Sequence, residues 1–203
     1  NFTLNLSGGY SGNGRLSSLG TLNLSTASLL LGEPGRITGG GNSQINSSGN
    51  FSNYGRLTSA VDLTLRADTL NNHGTLGSAE KLHLYAPTLL NQNGLIFSGD
   101  DMALRVNDFT NKYADVYSLG GLDLAANDQG NAATRLDNLS GSIESVENMS
   151  LRATIINNAR DLLTINNAGK YTAKIIQLPC RKSYGAGDCS GKRNGVWEIT
   201  ERD

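Results

Sequence analysis

Few side chains in this 203-residue chain could do chemistry, and they are scattered. Polysaccharide cleavage needs carboxylates clustered with a lysine or arginine, and Asp100, Asp101 and Asp161 are the acids to test for it. Asp100 and Asp101 are adjacent, and adjacent residues on an extended strand point to opposite faces, so they are not expected to work as a pair. His73 and His83 have no cysteine or carboxylate partner at ligand spacing, so no metal is expected. No Gly-x-Ser-x-Gly elbow, phosphate loop or dinucleotide fingerprint occurs, and no cofactor is expected. The chain reads as a non-enzyme. A polysaccharide-cleaving enzyme is the rival, and a carbohydrate-cleavage assay separates the two.

A repeat must position these residues. Anchors at Gly14, Gly35, Gly55, Gly74, Gly94, Ala114 and Gly141 are separated by 21, 20, 19, 20, 20 and 27 residues. Two places after each anchor stand Leu16, Ile37, Leu57, Leu76, Ile96, Val116 and Ile143. Ten places after stand Leu24, Ile45, Leu65, Leu84, Leu104, Leu124 and Leu151, so both phases are aliphatic throughout. Four places after come small residues, Ser18, Gly39, Ser59, Ser78, Ser98, Ser118 and Ser145. Before the anchors, apolar Tyr10, Leu31, Phe51, Leu70, Leu90, Phe109 and Leu136 precede a stripe at Asn71, Asn91, Asn111 and Asn138. Periodicity of this length signals a solenoid.

Within each unit the period is two: Leu63-Thr64-Leu65, Leu82-His83-Leu84 and Leu122-Asp123-Leu124 alternate apolar and polar, as a half-buried strand does. Strands so short cannot bury a face alone. Stacked coil on coil at about 4.8 Å, they form continuous apolar columns, and each buried Leu or Ile contributes roughly 1.5–3 kcal/mol. The Asn stripe is expected to bridge coils at an inward corner. The expected fold is all-β, a right-handed parallel β-helix of about eight coils over residues 1–165. A leucine-rich repeat is the competing solenoid, but a unit of about 20 residues rich in Gly, Asn and Ser leaves no helical stretch for its convex side. Leu4 falls in phase with Leu24, so the chain is expected to begin inside a coil, as a piece of a longer rod.

Net charge is −1, which implies no bulk attraction to nucleic acid. Charges are instead columnar. Arg15, Arg36 and Arg56 each follow an anchor and should form an outward basic column, either a solvated face or an anion-binding stripe. Asp62, Lys81 and Asp101 share one phase and should stack as an outward acid–base–acid ladder.

Two stretches break the period. The 27-residue gap places seven extra residues within 125–135, and solenoid insertions map to loops that often bind; such loops also lengthen at little cost. Asn127, Asp128, Gln129 and Asn131 are its candidate contact residues. The second is a basic, non-repeating extension, residues 166–203, with strand-like stretches at 171–178 and 196–200. Between them lie the two cysteines, Cys180 and Cys189, whose number and lack of metal spacing fit a disulfide-stapled loop in an oxidising compartment. With Arg181, Lys182, Tyr184, Asp188, Lys192 and Arg193 it forms either a basic tip that touches a partner or a staple holding the extension.

The unit Leu-x-Asn-x-x-Gly-x-Ile-x-Ser-x-x-x-Leu-x-Leu, as in Leu90 to Leu104 and around Leu139 to Leu151, resembles the repeats of the filamentous haemagglutinin family over residues 1 to about 165. The tail, ending Val196-Trp197-Glu198-Ile199-Thr200-Glu201-Arg202-Asp203, is similar to the segment that interrupts those repeats in CdiA-type contact-dependent growth inhibition effectors. The resemblance implies a secreted filament on the surface of a Gram-negative bacterium, exported by an outer-membrane partner transporter. It implies recognition of a receptor, protein or lipopolysaccharide, on a neighbouring cell, with any toxin outside this monomeric fragment. A host-directed adhesin is the alternative.

Overall fold

The structure, a computed structural model, describes residues 1–160 and the strands Tyr171–Ile176 and Val196–Glu201. The chain divides into two compact units, Asn1–Asp161 and Leu162–Asp203. In the second, Tyr171–Ile176 and Val196–Glu201 pair antiparallel, where strand-like alternation was expected.

The first unit is a parallel β-solenoid of about eight turns, with no helix among the described residues. Each turn lays one short strand on each of three faces. The first face runs from Phe2–Asn5 to Met149–Leu151, the second from Gly9–Gly12 to Ala153–Ala159, and the third from Arg15–Ser18 to Ser142–Ser145. Strands pair only with the equivalent strand one turn away, so like residue lies over like residue. Leu57, Leu76 and Ile96 stack in register and are fully buried, as are Leu65, Leu84 and Leu104. Leu16, Ile143 and Leu151 occupy the expected columns but are half-buried, because each has a described neighbour on one side only.

Three expectations need correction. Asn71 is not in the asparagine stripe; Asn72 is, between Asn53 and Asn91. Likewise Leu29 and Leu89, not Leu31 and Leu90, stack with Phe51, Leu70 and Phe109. The cause is the corner between second and third faces. One residue separates Asn53 from Gly55 and Asn72 from Gly74, but two separate Asn91 from Gly94, Asn111 from Ala114 and Asn138 from Gly141. In the longer corners the extra residue is absorbed in the left-handed region, at Asn93 (φ 54°), Tyr113 (φ 49°) and Ser140 (φ 49°). The shorter corners leave no room for a side chain: a Cβ on Gly74 would lie 2.1 Å from the Gly55 carbonyl oxygen. Counting from glycines therefore slips by one residue at Asn72 and Leu89, and by two at Leu29, where Gly32, Glu33 and Pro34 separate Leu31 from Gly35.

The third correction concerns Asp100 and Asp101, which converge rather than diverge. They sit at a corner, not within a strand, and both reach Lys81 Nζ, at 3.7 and 2.9 Å.

Asparagines 53, 72, 91, 111, 138 and 158 form one side-chain ladder. Each Nδ2 donates to the next Oδ1 at 2.7–2.8 Å. The same amides also satisfy corner carbonyls, as Asn91 does for Asp115 at 3.2 Å. A second polar column carries Ser59, Ser78, Ser98 and Ser118, with Ser98 and Ser118 bonded at 3.0 Å. Gly39 interrupts it. There Ser43, standing in the leucine column between Leu22 and Leu63, turns its hydroxyl to Ser59 at 3.0 Å and fills the gap.

Candidate functional site

The seven-residue insertion departs most from the stacked pattern. After Leu122–Ala125 the chain leaves the first face and returns as Ala133–Leu139 on the second. The excursion is an ordered turn. Ala126 N–H donates to the Asn131 carbonyl at 2.8 Å, and Asn127 Oδ1 accepts from the amides of Gln129 and Asn131 at 3.1 and 3.2 Å. Gly130 takes φ 78°, which favours glycine. Asn127 is thus mainly a turn-forming residue, whereas Asp128, Gln129 and Asn131 are exposed.

Asp128 folds this loop back along the solenoid. Its Oδ1 accepts from Arg105 Nε at 2.8 Å, and its Oδ2 from the Tyr85 hydroxyl at 3.4 Å. The arms meet over a groove of about 550 Å³ at the corner between first and second faces. Its floor is small and apolar, at Ala67 and Ala86. One wall is the register column Arg66–Tyr85–Arg105, one residue per turn. Asp68, Pro87 and Asn107 form the opposite lip, and Asn127 to Gln129 overhang the end.

The two arginines in that wall differ. Arg105 is committed: its Nη2 meets Asp123 at 2.9 Å and its Nε meets Asp128, leaving the side chain only 13% exposed. Asp123 also holds Arg152 at 2.6 Å. Arg66 has no carboxylate within ion-pairing distance among the described residues, and its guanidinium carbon lies 3.7 Å above the Tyr85 ring centre. Cation–π contact fixes that charge without neutralising it. Asp128 uses both oxygens on Arg105 and Tyr85, so it is not placed to act as a general base. The groove can recognise a ligand through charge and hydrogen bonds.

Of the expected ladder at Asp62, Lys81 and Asp101 only the Lys81–Asp101 half is an ion pair; the second acid at Lys81 Nζ is Asp100, and Asp62 meets Lys81 through the backbone. Asp62 Oδ1 accepts the Lys81 amide at 3.1 Å, and Asp101 Oδ1 accepts the Gly121 amide at 3.0 Å, so each carboxylate also caps backbone of the next turn. The hydrogen bond from Lys81, then that from Gly121, pulls Asp101 below the ordinary aspartate pKa, and Asp101 in turn raises Lys81. Among the described residues no cluster could hold a metal ion. Asp161, Cys180, Arg181, Lys182, Tyr184, Asp188, Cys189, Lys192 and Arg193 lie outside the described residues, and with them the proposed staple. Sequence reasoning missed Arg66, Tyr85 and Arg105, although all three stand eleven places after an anchor (55, 74 and 94), a phase where long polar side chains follow a buried leucine.

A three-faced parallel solenoid with repeating Leu, Asn and Ser columns defines a class of structural repeat. The Haemagglutinin repeat family matches residues 1–84, 74–138 and 130–170, and the chain belongs to that family. Among curated proteins it is similar to the "Deoxyribonuclease CdiA" of Dickeya dadantii (strain 3937), 27% identical over 175 residues, which is 84% of this chain and 5% of that protein. It is also similar to the "tRNA nuclease CdiA" of Escherichia coli (strain STEC_O31), 33% identical over 126 residues, 62% of this chain and 4% of that protein. The "Toxin CdiA" of Escherichia coli is 32% identical over the same length. The chain is thus a filamentous-haemagglutinin-type repeat region like those of CdiA proteins, spanning about one-twentieth of the relatives' length. No solved structure matches it.

Proposed function

We propose that this segment belongs to a filament displayed on the surface of a Gram-negative bacterium, exported by an outer-membrane partner transporter and acting in contact-dependent growth inhibition. In this reading the solenoid carries no chemistry, and the nuclease activity in the relatives' names lies elsewhere in such proteins. The groove walled by Arg66, Tyr85 and Asp128 is the receptor contact, facing an outer-membrane component of a neighbouring cell. The observation that carries the reading is the pinned insertion. A loop lengthened by drift needs no fixed conformation, yet this one is held by Asp128 on Arg105 and overhangs a concave surface with an uncommitted arginine. The basic segment around Cys180 and Cys189 is proposed as a second contact.

The test is binding of the labelled whole chain to Gram-negative cells. Arg66→Ala with Gln129→Ala, both exposed, should weaken it at least tenfold. Unchanged binding in this double variant, together with loss on Arg181→Ala and Lys182→Ala, would move the contact to the extension. Capture by host cells but not by bacteria would favour the adhesin.

A further inference from the structure

The outer side of the third face changes character along the solenoid. It begins with Arg15, Arg36 and Arg56, in direct register, one per turn, and all three exposed. Thr75 takes the same phase in the fourth turn, and Leu95 and Asp115 take it in the next two. Two residues further along these strands, Gly77, Phe97, Tyr117 and Glu144 stack in the same way. Among the described residues none of the three arginines forms an ion pair, and neither Asp115 nor Glu144 does. Like charges opposite one another on adjacent strands are unfavourable, so the basic column costs the isolated chain stability that Thr75 avoids at the same phase.

The far end of the face is apolar and acidic. Leu95 and Phe97 are half-buried, Tyr117 is exposed, and with Asp115 and Glu144 they line a shallow groove of about 560 Å³. The middle turn is low, because Gly77 has no side chain and the Phe97 ring lies against it; a Cβ there would lie 2.5 Å from that ring. About this middle turn the two ends are complementary. Arg56 stands one strand before Thr75 and Leu95 one strand after, while Arg36 and Asp115 stand two strands away on either side. Arg15 and Glu144 lie on the strands three away.

We propose that this face pairs with the same face of a second copy of the chain, the two solenoids antiparallel about a two-fold axis running along the strands at Thr75. A two-fold contact uses one patch twice and must be self-complementary. Here the symmetry sets Arg36 against Asp115 of the second copy, with the Tyr117 ring beside that pair to receive the guanidinium. It sets Arg56 against Leu95 and Phe97, and brings Arg15 near Glu144. Each contact occurs twice, and the low turn at Gly77 lets the copies approach. Parallel solenoids would instead lay the two arginine columns together, which like-charge repulsion disfavours. Seven strands of four residues, at about 4.8 Å between strands and about 3.3 Å per residue, give a face of roughly 400 Å² per copy. That is the size of a weak, reversible interface. The chain is therefore a monomer when dilute, as the family resemblance implies, and a dimer when concentrated. This face is separate from the groove at Arg66, and the pairing does not depend on the receptor reading.

The test is sedimentation of the whole chain under reducing conditions, over about a hundredfold range of concentration. A monomer–dimer equilibrium that stops at the dimer and weakens as salt is added is expected. Arg36→Asp and Asp115→Arg each place like charges opposite one another at both symmetric contacts, and each should weaken the dimer at least tenfold. Mixed in equal amounts, the two variants should pair again, because every aspartate at these positions then faces an arginine of the other copy. Both positions are exposed, and an unfolding midpoint near the parent's verifies that each variant folds. If either reversal fails to fold, Arg36→Thr decides instead, since threonine already stands in this column at Thr75; it should weaken the dimer and flatten its salt dependence. The proposal is overturned if the parent stays monomeric throughout, if it assembles beyond the dimer, if the variants dimerise as the parent does, or if the mixture stays monomeric.

Discussion

The turns on either side of Asn53 fill one interior position in opposite ways. Earlier it is held by Gly12 and Leu31; from Asn53 onward it is held by asparagine through Asn158. An apolar column can start or stop anywhere, because dispersion and burial have no direction. An amide ladder has a direction, each donor serving the oxygen of the next, so its first member keeps an acceptor with nothing before it. Asn53 Oδ1 is that atom, buried and without a hydrogen-bond partner. Leucine thus suffices to build the turn. The asparagines tie the corner backbone, including the longer corners that contain Asn93, Tyr113 and Ser140.

Cutting the ladder in its middle should break that comparison most strongly. Asn91→Leu removes the bonds to Asn72, Asn111 and the Asp115 carbonyl together. With buried polar groups left unpaired at about 1–3 kcal/mol each, we expect a loss of about 2–4 kcal/mol in urea unfolding of the whole chain. Asn53→Leu merely moves the unpaired oxygen to Asn72 and frees the Thr75 carbonyl, so its expected loss is smaller, about 1 kcal/mol. Equal losses would mean that the ladder has no direction that matters.

The charges divide later along the rod: Arg15, Arg36, Arg56 and Arg66 have no carboxylate partner among the described residues, whereas Lys81, Arg105, Arg135 and Arg152 do. Asp101→Asn should destabilise the chain at neutral pH by removing the charge that Lys81 contacts. Asp101 is depressed in the fold, so its contribution is present above the ordinary value of 3.8 and is lost as pH falls through the lower folded value. Lys81 is raised, so its share is complete below 10.5 and is lost as pH climbs through the higher folded value. Melting of parent and variant should therefore differ at pH 7 and converge at both extremes; a constant offset would sink the assignment. The smallest effect has the opposite sign. Arg36→Thr should raise the melting temperature slightly at low salt, with the gain vanishing as salt screens the column.

The leucine and serine columns were legible because parallel stacking at one turn per repeat converts a spacing of about 20 directly into contact. The ladder was legible only in part. Asn91, Asn111 and Asn138 keep step with their anchors, but Asn72 does not, since corner length varies by a residue that only backbone conformation reveals. The groove was hardly legible at all: Asp128 meets Arg105 across 23 residues and Tyr85 across 43, through a loop whose fold no repeat dictates.

By itself the amino-acid order determined the winding of the chain and which side chains fill its interior, because burial on a stacked strand depends on phase alone. Only the tertiary structure decided where the winding bends, which amide begins the ladder, and that Arg66 lies on the Tyr85 ring while Arg105 is held by two carboxylates. Those outcomes depend on individual distances at corners and loops, where one residue more or less changes every partner.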